Sequence, residues 1–391
     1  MNILIVHNYY KIPGGEDTVV KNEINLLREH GHKVKLYKRS NEELESYGVL
    51  KKLSLPFKIV FSIKSYKELR DIIRKDNIDV VHVHNTLCVI SPSAYYAALS
   101  LKKPVIQTIH NFRLLCPGAT FQRNGKVCEE CIEKGLFHSC KYNCYRSSRL
   151  TTFAIALMTS FHKIIGTYRR IHYICLTDFN KEKLLQMNRK GKVFIKPDNI
   201  YIKPNFTDFK MKVLPWSVRK NQIVYAGRLD ETKGIHLMLQ AWENITNMKL
   251  VICGVGPEDD WCKKYIIENK LKNVEMLGFL SHEKTMKIIA ESKALVLLTQ
   301  WYEGFPMVLA ESFACGTPVI GSRIGNVGNL IINNVNGIKV DQESVASVIE
   351  AVNNISDMTD STKLISDEYY SIDKNYKQLI EIYKNAQNCK R

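Results

Sequence analysis

Short apolar runs rich in Val and Ile alternate along this chain with longer stretches whose apolar residues recur at helical spacing. That grammar predicts repeated strand–helix–strand units and a mostly parallel sheet. In the first half the predicted strands are 2–6, 33–37, 79–84, 104–109 and 173–176. Between the first two, Val20, Ile24 and Leu27 mark one helical face, and Gly31 suits the cap beyond its end. The pattern restarts with predicted strands at 222–226, 249–253, 274–277, 294–298 and 318–321, and a helical stripe of Ile235, Leu239 and Trp242. Two doubly wound α/β domains follow, divided within 202–215, where Pro204, Asn205 and Pro215 interrupt any period. The expected division is a Rossmann-like domain over 1–204, a second over 205–368, and an amphipathic tail at 369–391 free to pack back on the first. Two such sheets facing across a cleft would gather the loops at their carboxyl ends around one ligand.

Composition changes this picture little. The 391 residues, 45% apolar and 24% charged, make a folded multi-domain chain and exclude a disordered or disulfide-stapled one. No run of ~20 apolar residues is present, and the apolar start at Met1 reads as a strand rather than a leader, so the expectation is a cytoplasmic protein. Charge changes it more. Residues 1–204 carry 34 basic and 17 acidic side chains, and 205–391 carry 22 of each, so the whole excess of +17 lies in the first half. Either this half faces an anionic surface such as the inner face of a membrane, or the bias serves solubility alone. The basic, bulky segment 51–64 is one place such contact could occur; packing of Ile59, Ile63 and Tyr66 on the sheet is the alternative.

The densest chemistry lies at Glu303-Gly304-Phe305-Pro306, followed by Glu311 and Gly316. Pro306 suits a first helical position and Gly316 the cap past the end, which puts Glu303 in a loop and Glu311 inside a helix. The helix start offers free amides and a positive dipole end to a diphosphate, while the carboxylates can receive sugar hydroxyls. Upstream, Ala226-Gly227-Arg228-Leu229-Asp230 with Lys233-Gly234 brings two permanent cations to a loop after a strand. Gly254-Val255-Gly256-Pro257 makes a glycine turn after the next strand. In the first half, Gly14-Gly15-Glu16 follows the first strand, where amides can approach phosphate, and His110 ends the strand at 104–109. No full G-x-G-x-x-G is present, which argues against a dinucleotide cofactor.

Together these segments, with the Gly278-Phe279 pair, resemble the retaining glycosyltransferases of family four, which have the GT-B fold; the likeness spans nearly the whole chain. The resemblance implies transfer of a hexosyl unit from a nucleotide-diphosphate sugar to a hydroxyl of a glycan or lipid-linked acceptor. The aspartate-x-aspartate cluster of metal-dependent sugar-nucleotide enzymes is absent, so transfer without a catalytic metal is expected, and the basic first half points to surface polysaccharide synthesis. The resemblance also implies that Arg228 and Lys233 bind the donor diphosphate, Glu303 and His110 the donor sugar, and Glu311 the nucleotide ribose. Gly15, Gly256, Phe279, Gly304 and Phe305 would line the donor site. Phe206 stands where a glycine is common in the family's linker, so Asn205 is given no role. An epimerase or phosphorylase of the same fold is the competing enzyme. A basic nucleic-acid-binding protein competes from another class, but the expected aromatics and recognition modules are missing, and no nucleic-acid partner is expected.

Five cysteines fall within 116–144. The two-residue gap of Cys128 and Cys131 lets both bind one Zn²⁺, with Cys116 and Cys144, or Cys140 in place of Cys144, completing four ligands. No cofactor is required for the reaction; the choice here lies between a structural zinc in an insertion at 112–146 and reduced thiols in a surface loop.

Overall fold

A computed structural model describes residues 1–10, 14–44, 48, 54–189, 191–207, 213–358 and 371–389. It divides into two units: residues 1–121, 128–205 and 372–391 form one, and residues 122–127 with 206–371 form the other.

The strands are β1 (Asn2–Tyr9), β2 (Lys33–Ser40), β3 (Val80–Asn85), β4 (Val105–Ile109), a small hairpin of β5 (Gln122–Arg123) and β6 (Lys126–Val127), β7 (His172–Cys175) and β8 (Ile200–Ile202). The first unit's sheet is parallel throughout, in the order β2-β1-β3-β4-β7-β8. β1 lies between β2 and β3 and is buried from Ile3 to Asn8, which is why Ile3 to Val6 form an unbroken apolar run rather than an alternation. β2 is the edge, and it turns Lys33, Lys35 and Lys38 outward, which discourages pairing with another chain. One face of the sheet is packed by Val20, Ile24 and Leu27 of the helix Gly15–Glu29 and by Leu379, Ile382 and Tyr383 of the helix Ile372–Asn388. The last helix therefore completes the core of the unit in which the chain began.

The second unit holds β9 (Lys220–Ala226), β10 (Lys249–Cys253), β11 (Val274–Gly278), β12 (Ser292–Leu297), β13 (Val319–Ser322) and β14 (Gly337–Val340). Its order is β11-β10-β9-β12-β13-β14, again all parallel. Trp242, Leu239 and Met238 fill one face of this sheet, and Leu309, Phe313 and Ile289 the other. All ten strands expected from the sequence are present. β8, β14 and the hairpin were not legible, because two to four residues at a sheet margin are too few to display a period. Pro306 also differs from expectation: it caps the helix Met307–Ala314 in extended conformation instead of opening it.

Candidate functional site

In the second sheet β9 and β12 are neighbours, and successive strands run outward from them in opposite directions. This is the switch point of the topology, where loops from adjacent strands diverge and leave a crevice at their carboxyl ends. The loop after β9 carries Arg228 and Lys233, and the loop after β12 carries Trp301 to Phe305. The two loops are tied by the Gln300 amide donating to the Thr232 carbonyl at 2.8 Å. Lys233 Nζ donates to Glu303 Oε1 and lies 5.3 Å from the centre of the Trp301 ring. Glu303 Oε1 also accepts from Trp301 Nε1 at 2.8 Å and from Thr299 Oγ1 at 3.3 Å. Beneath them the fully buried Asn326 donates to the carbonyls of Glu303 at 2.7 Å and Gly304 at 2.6 Å, which fixes the loop that presents the carboxylate.

Lys233, Glu303 and Gly304 are thus brought together, with the half-buried ammonium already charge-compensated. Arg228 pairs with Asp230, which also accepts from Thr232, while more than half of the arginine stays exposed. Phe305 is buried, whereas Phe279 stands exposed just beyond the end of β11. Glu311 lies within the helix Met307–Ala314 and accepts from His282 at 3.0 Å. At Gly254, with φ +145°, a Cβ would come 1.8 Å from the Gly227 carbonyl, so the turn after β10 lies directly on the loop that carries Arg228. Gly256 makes the same approach to Leu229, which is a packing reason for glycine there.

In the first unit Gly15 opens the helix Gly15–Glu29, and the Gly14 amide donates to Asp17 at 2.8 Å. His110 follows β4 and opens onto a small cavity lined by Asn85, Gln107, Asn111 and Arg113. Its Nε2 is 3.0 Å from His84 Nδ1, and the two rings stack. Behind His84 lies a buried network. Glu23 Oε2 is 3.3 Å from His84 Nε2, Glu23 Oε1 accepts from Lys203 Nζ at 2.7 Å, and Lys203 also donates to Asn375 at 3.0 Å. His82 bridges Tyr383 at 2.8 Å and Thr108 at 2.7 Å. Burial, reinforced by the neighbouring His84, pushes His82 and His110 well below the usual imidazole range, so both are neutral near pH 7. Burial pushes Glu23 upward, but Lys203 and the histidines outweigh it and hold the carboxyl well below its ordinary value.

Several of these residues escaped the sequence reading. His82 and His84 have no assigned role in it, yet His84 touches His110. Glu23 had a signal in its place on the stripe Val20, Glu23, Ile24, Leu27, where a carboxylate demands a buried partner. Trp301 and Asn326 carried none, since their role depends on where β12 ends and where the helix Gly325–Leu330 begins. Among the five clustered cysteines, Cys131 has Cys116, Cys144 and Cys128 as electrostatic neighbours. Cys140 instead lines a separate depression with Phe137, Arg149, Leu150 and Phe153.

Residues 206–371 match the family model described as glycosyl transferases group 1, and residues 13–208 that of glycosyltransferase family 4. An uncharacterised glycosyltransferase of Methanocaldococcus jannaschii is 24% identical over 342 residues, which are 84% of this chain and 80% of that protein. Among solved structures, sucrose-phosphate synthase from Thermosynechococcus elongatus superposes with a TM-score of 0.69 at 17% identity, over 98% of each chain. The Anabaena protein HepE in complex with UDP-glucose does so with a TM-score of 0.66 at 15% identity, over 98% of this chain and 100% of that one. These two likenesses place the fold as GT-B.

Proposed function

Since the chain belongs to glycosyltransferase family four, we propose that it transfers a hexosyl unit, with retention and without a catalytic metal, from a nucleotide-diphosphate sugar to a hydroxyl of a glycan or lipid-linked acceptor. The observation that carries this reading is the meeting of Lys233, Glu303 and Gly304 at the switch point of the second sheet, with Arg228 on the adjoining loop. There the cations can meet the departing diphosphate, and Glu303, already fixed by Trp301 and Asn326, can exchange its ammonium partner for sugar hydroxyls. In an oxocarbenium-like transition state the bond from the anomeric carbon to the diphosphate breaks while the acceptor oxygen bonds on the same face. The acceptor proton passes to the diphosphate oxygen, and fixed charge on that group supplies most of the acceleration. Glu303 acts as a hydroxyl ligand and not as a nucleophile of the glycosidase kind. His110, neutral and held by His84, is suited to accept or donate one hydrogen bond to the donor sugar.

A thermal-shift panel of nucleotide sugars tests the first step, because a donor at a hundredfold excess over its Kd raises stability by about 2.7 kcal/mol. Proton NMR of the product, with donor alone and with acceptor, tests the second. Retention with an acceptor is expected. An inverted product, turnover of donor alone, or a trapped glycosyl–Glu303 adduct would each overturn the reading, the second in favour of an epimerase or phosphorylase.

The acceptor side is proposed to lie on an anionic membrane surface, in surface or capsular polysaccharide synthesis. Residues 51–53 of the basic segment lie outside the described residues, and Ile59 is buried. Support comes instead from the helix Arg149–Ile164, whose Leu150, Phe153, Leu157, Phe161 and Ile164 form one exposed apolar stripe flanked by Arg149 and Lys163. Among the described residues no helix is long and apolar enough to cross a membrane. Sedimentation with anionic but not neutral vesicles is the expected result, lost in L150S/F161S.

A further inference from the structure

We propose that Cys116, Cys128, Cys131 and Cys144 hold a structural Zn²⁺ that organises the insertion following His110. The four thiols come from three pieces of chain with few regular contacts of their own. Cys116 closes a turn in which Ala119 N donates to the Cys116 carbonyl at 2.7 Å. Cys128 leaves the β5–β6 hairpin with its amide donating to Phe121 at 2.7 Å, and Cys131 follows on a five-residue helical turn. Cys144 closes the set from the far end. A Cβ built on Gly118 would lie 3.5 Å from the Cys144 Cβ and 3.7 Å from the Cys116 sulfur, so these two cysteines flank one glycine. Cys131 lies within electrostatic reach of the other three.

The surroundings fit a metal better than they fit free thiols. Of the eleven non-glycine residues with left-handed φ among those described, six lie between Ala119 and Ser147, including the fully buried Phe121 at +51° and Asn143, just before Cys144, at +51°. Regular elements between residues 112 and 147 amount to two-residue strands, one five-residue helix and a 3₁₀ stretch. Strain of this kind persists only where something else determines the backbone, and metal ligation is such a determinant. Zinc binding releases four thiol protons and leaves a tetrathiolate centre of charge −2. Residues 116–146 carry five basic and three acidic side chains, a net +2 that offsets it. Among the described residues, the cluster whose ligand atoms all lie within 4.8 Å of one another is Glu23 with His82 and His84, and it is unsuited to a cation: Lys203 occupies Glu23, and Tyr383 and Thr108 take both His82 nitrogens. No three of the four sulfurs are that close together, so zinc binding draws the three pieces of chain inward.

The full chain, purified in reducing buffer without chelator and exposed to one equivalent of zinc, is expected to retain about one Zn²⁺ by elemental analysis. Replacement by Co²⁺ should give the thiolate charge-transfer bands of a tetrahedral centre. C128S and C144S should each lose the metal, while C140S, whose side chain faces the Phe137–Phe153 depression, should keep it. Chelation should expose four further thiols to maleimide and lower the melting temperature. Wild-type chain with less than about a tenth of a zinc overturns the proposal, however the variants fold. Loss of zinc in C140S, or cobalt spectra without thiolate bands, overturns the ligand set. None of these readouts depends on glycosyl transfer.

Discussion

In the first unit the ammonium of Lys203 and the carboxylate of Glu23 are each 1% exposed, and Asn375, His82 and His84 close around them. In the second, Lys233 and Glu303 meet at a loop end with the lysine 25% exposed, and Arg228 is 55% exposed beside Asp230. The chemistry of the pairs is the same, and their surroundings assign them different work. A pair cut off from water cannot trade partners, since removal of one charge strands the other in a low-dielectric interior. A half-open pair at a loop end contributes ~0–1 kcal/mol to stability, so its members can exchange one another for a ligand's phosphate and hydroxyls at little cost.

The most severe test of this contrast is Lys203→Met, which leaves Glu23 buried without its cation. It should cost about 3–5 kcal/mol in urea unfolding. A variant within about 1 kcal/mol of wild type would show the buried pair to be dispensable and break the comparison. Lys233→Ala is expected to do the reverse: a melting temperature near wild type, with transfer reduced about 10²–10³-fold, the usual loss for one fixed charge at a reacting centre. Arg228→Ala should behave likewise, and unchanged turnover in either would remove the diphosphate role.

Gly254→Ala forces a side chain onto the Gly227 carbonyl at φ +145°, and about 1–3 kcal/mol of destabilisation is expected by thermal melts. It should also weaken donor binding, because the displaced turn supports Arg228; a stability loss with unaltered binding would separate scaffold from site.

The smallest effect is a dependence on pH. His82 and His110 have folded pKa values below the free imidazole's 6.5, so between the two values the unfolded chain binds more protons. Stability is then fully present above pH 6.5 and is lost as pH falls below it. Glu23, held below 4.5, acts in the same direction at still lower pH. The melting temperature should therefore drop between pH 7 and 5. His82→Asn should make the fall in unfolding free energy shallower by at most about 1.4 kcal/mol per pH unit, the linkage slope of a single proton. A wild-type chain as stable at pH 5 as at pH 7 would mean that the histidines are not buried neutral.

Periodicity alone gave the two parallel sheets, ten of their twelve strands, the restart after 202–215 and the helices that bury Leu27 and Trp242, because those patterns are local and repeat within one element. Spacing also placed Glu303 in a loop, Glu311 in a helix and the two cations just past β9. What the sequence could not determine was partnership. That Lys233 would meet Glu303, that Lys203 would reach Glu23 across 180 residues, and that Asn375 near the chain's end would join them depended on strand order and on where the last helix packs. Cys140 came to line a depression beside Phe153 by the same means. Hydrophobic period is written in neighbouring residues. Charge pairing and burial are properties of the space that distant residues share, and that space exists only once the sheets have formed.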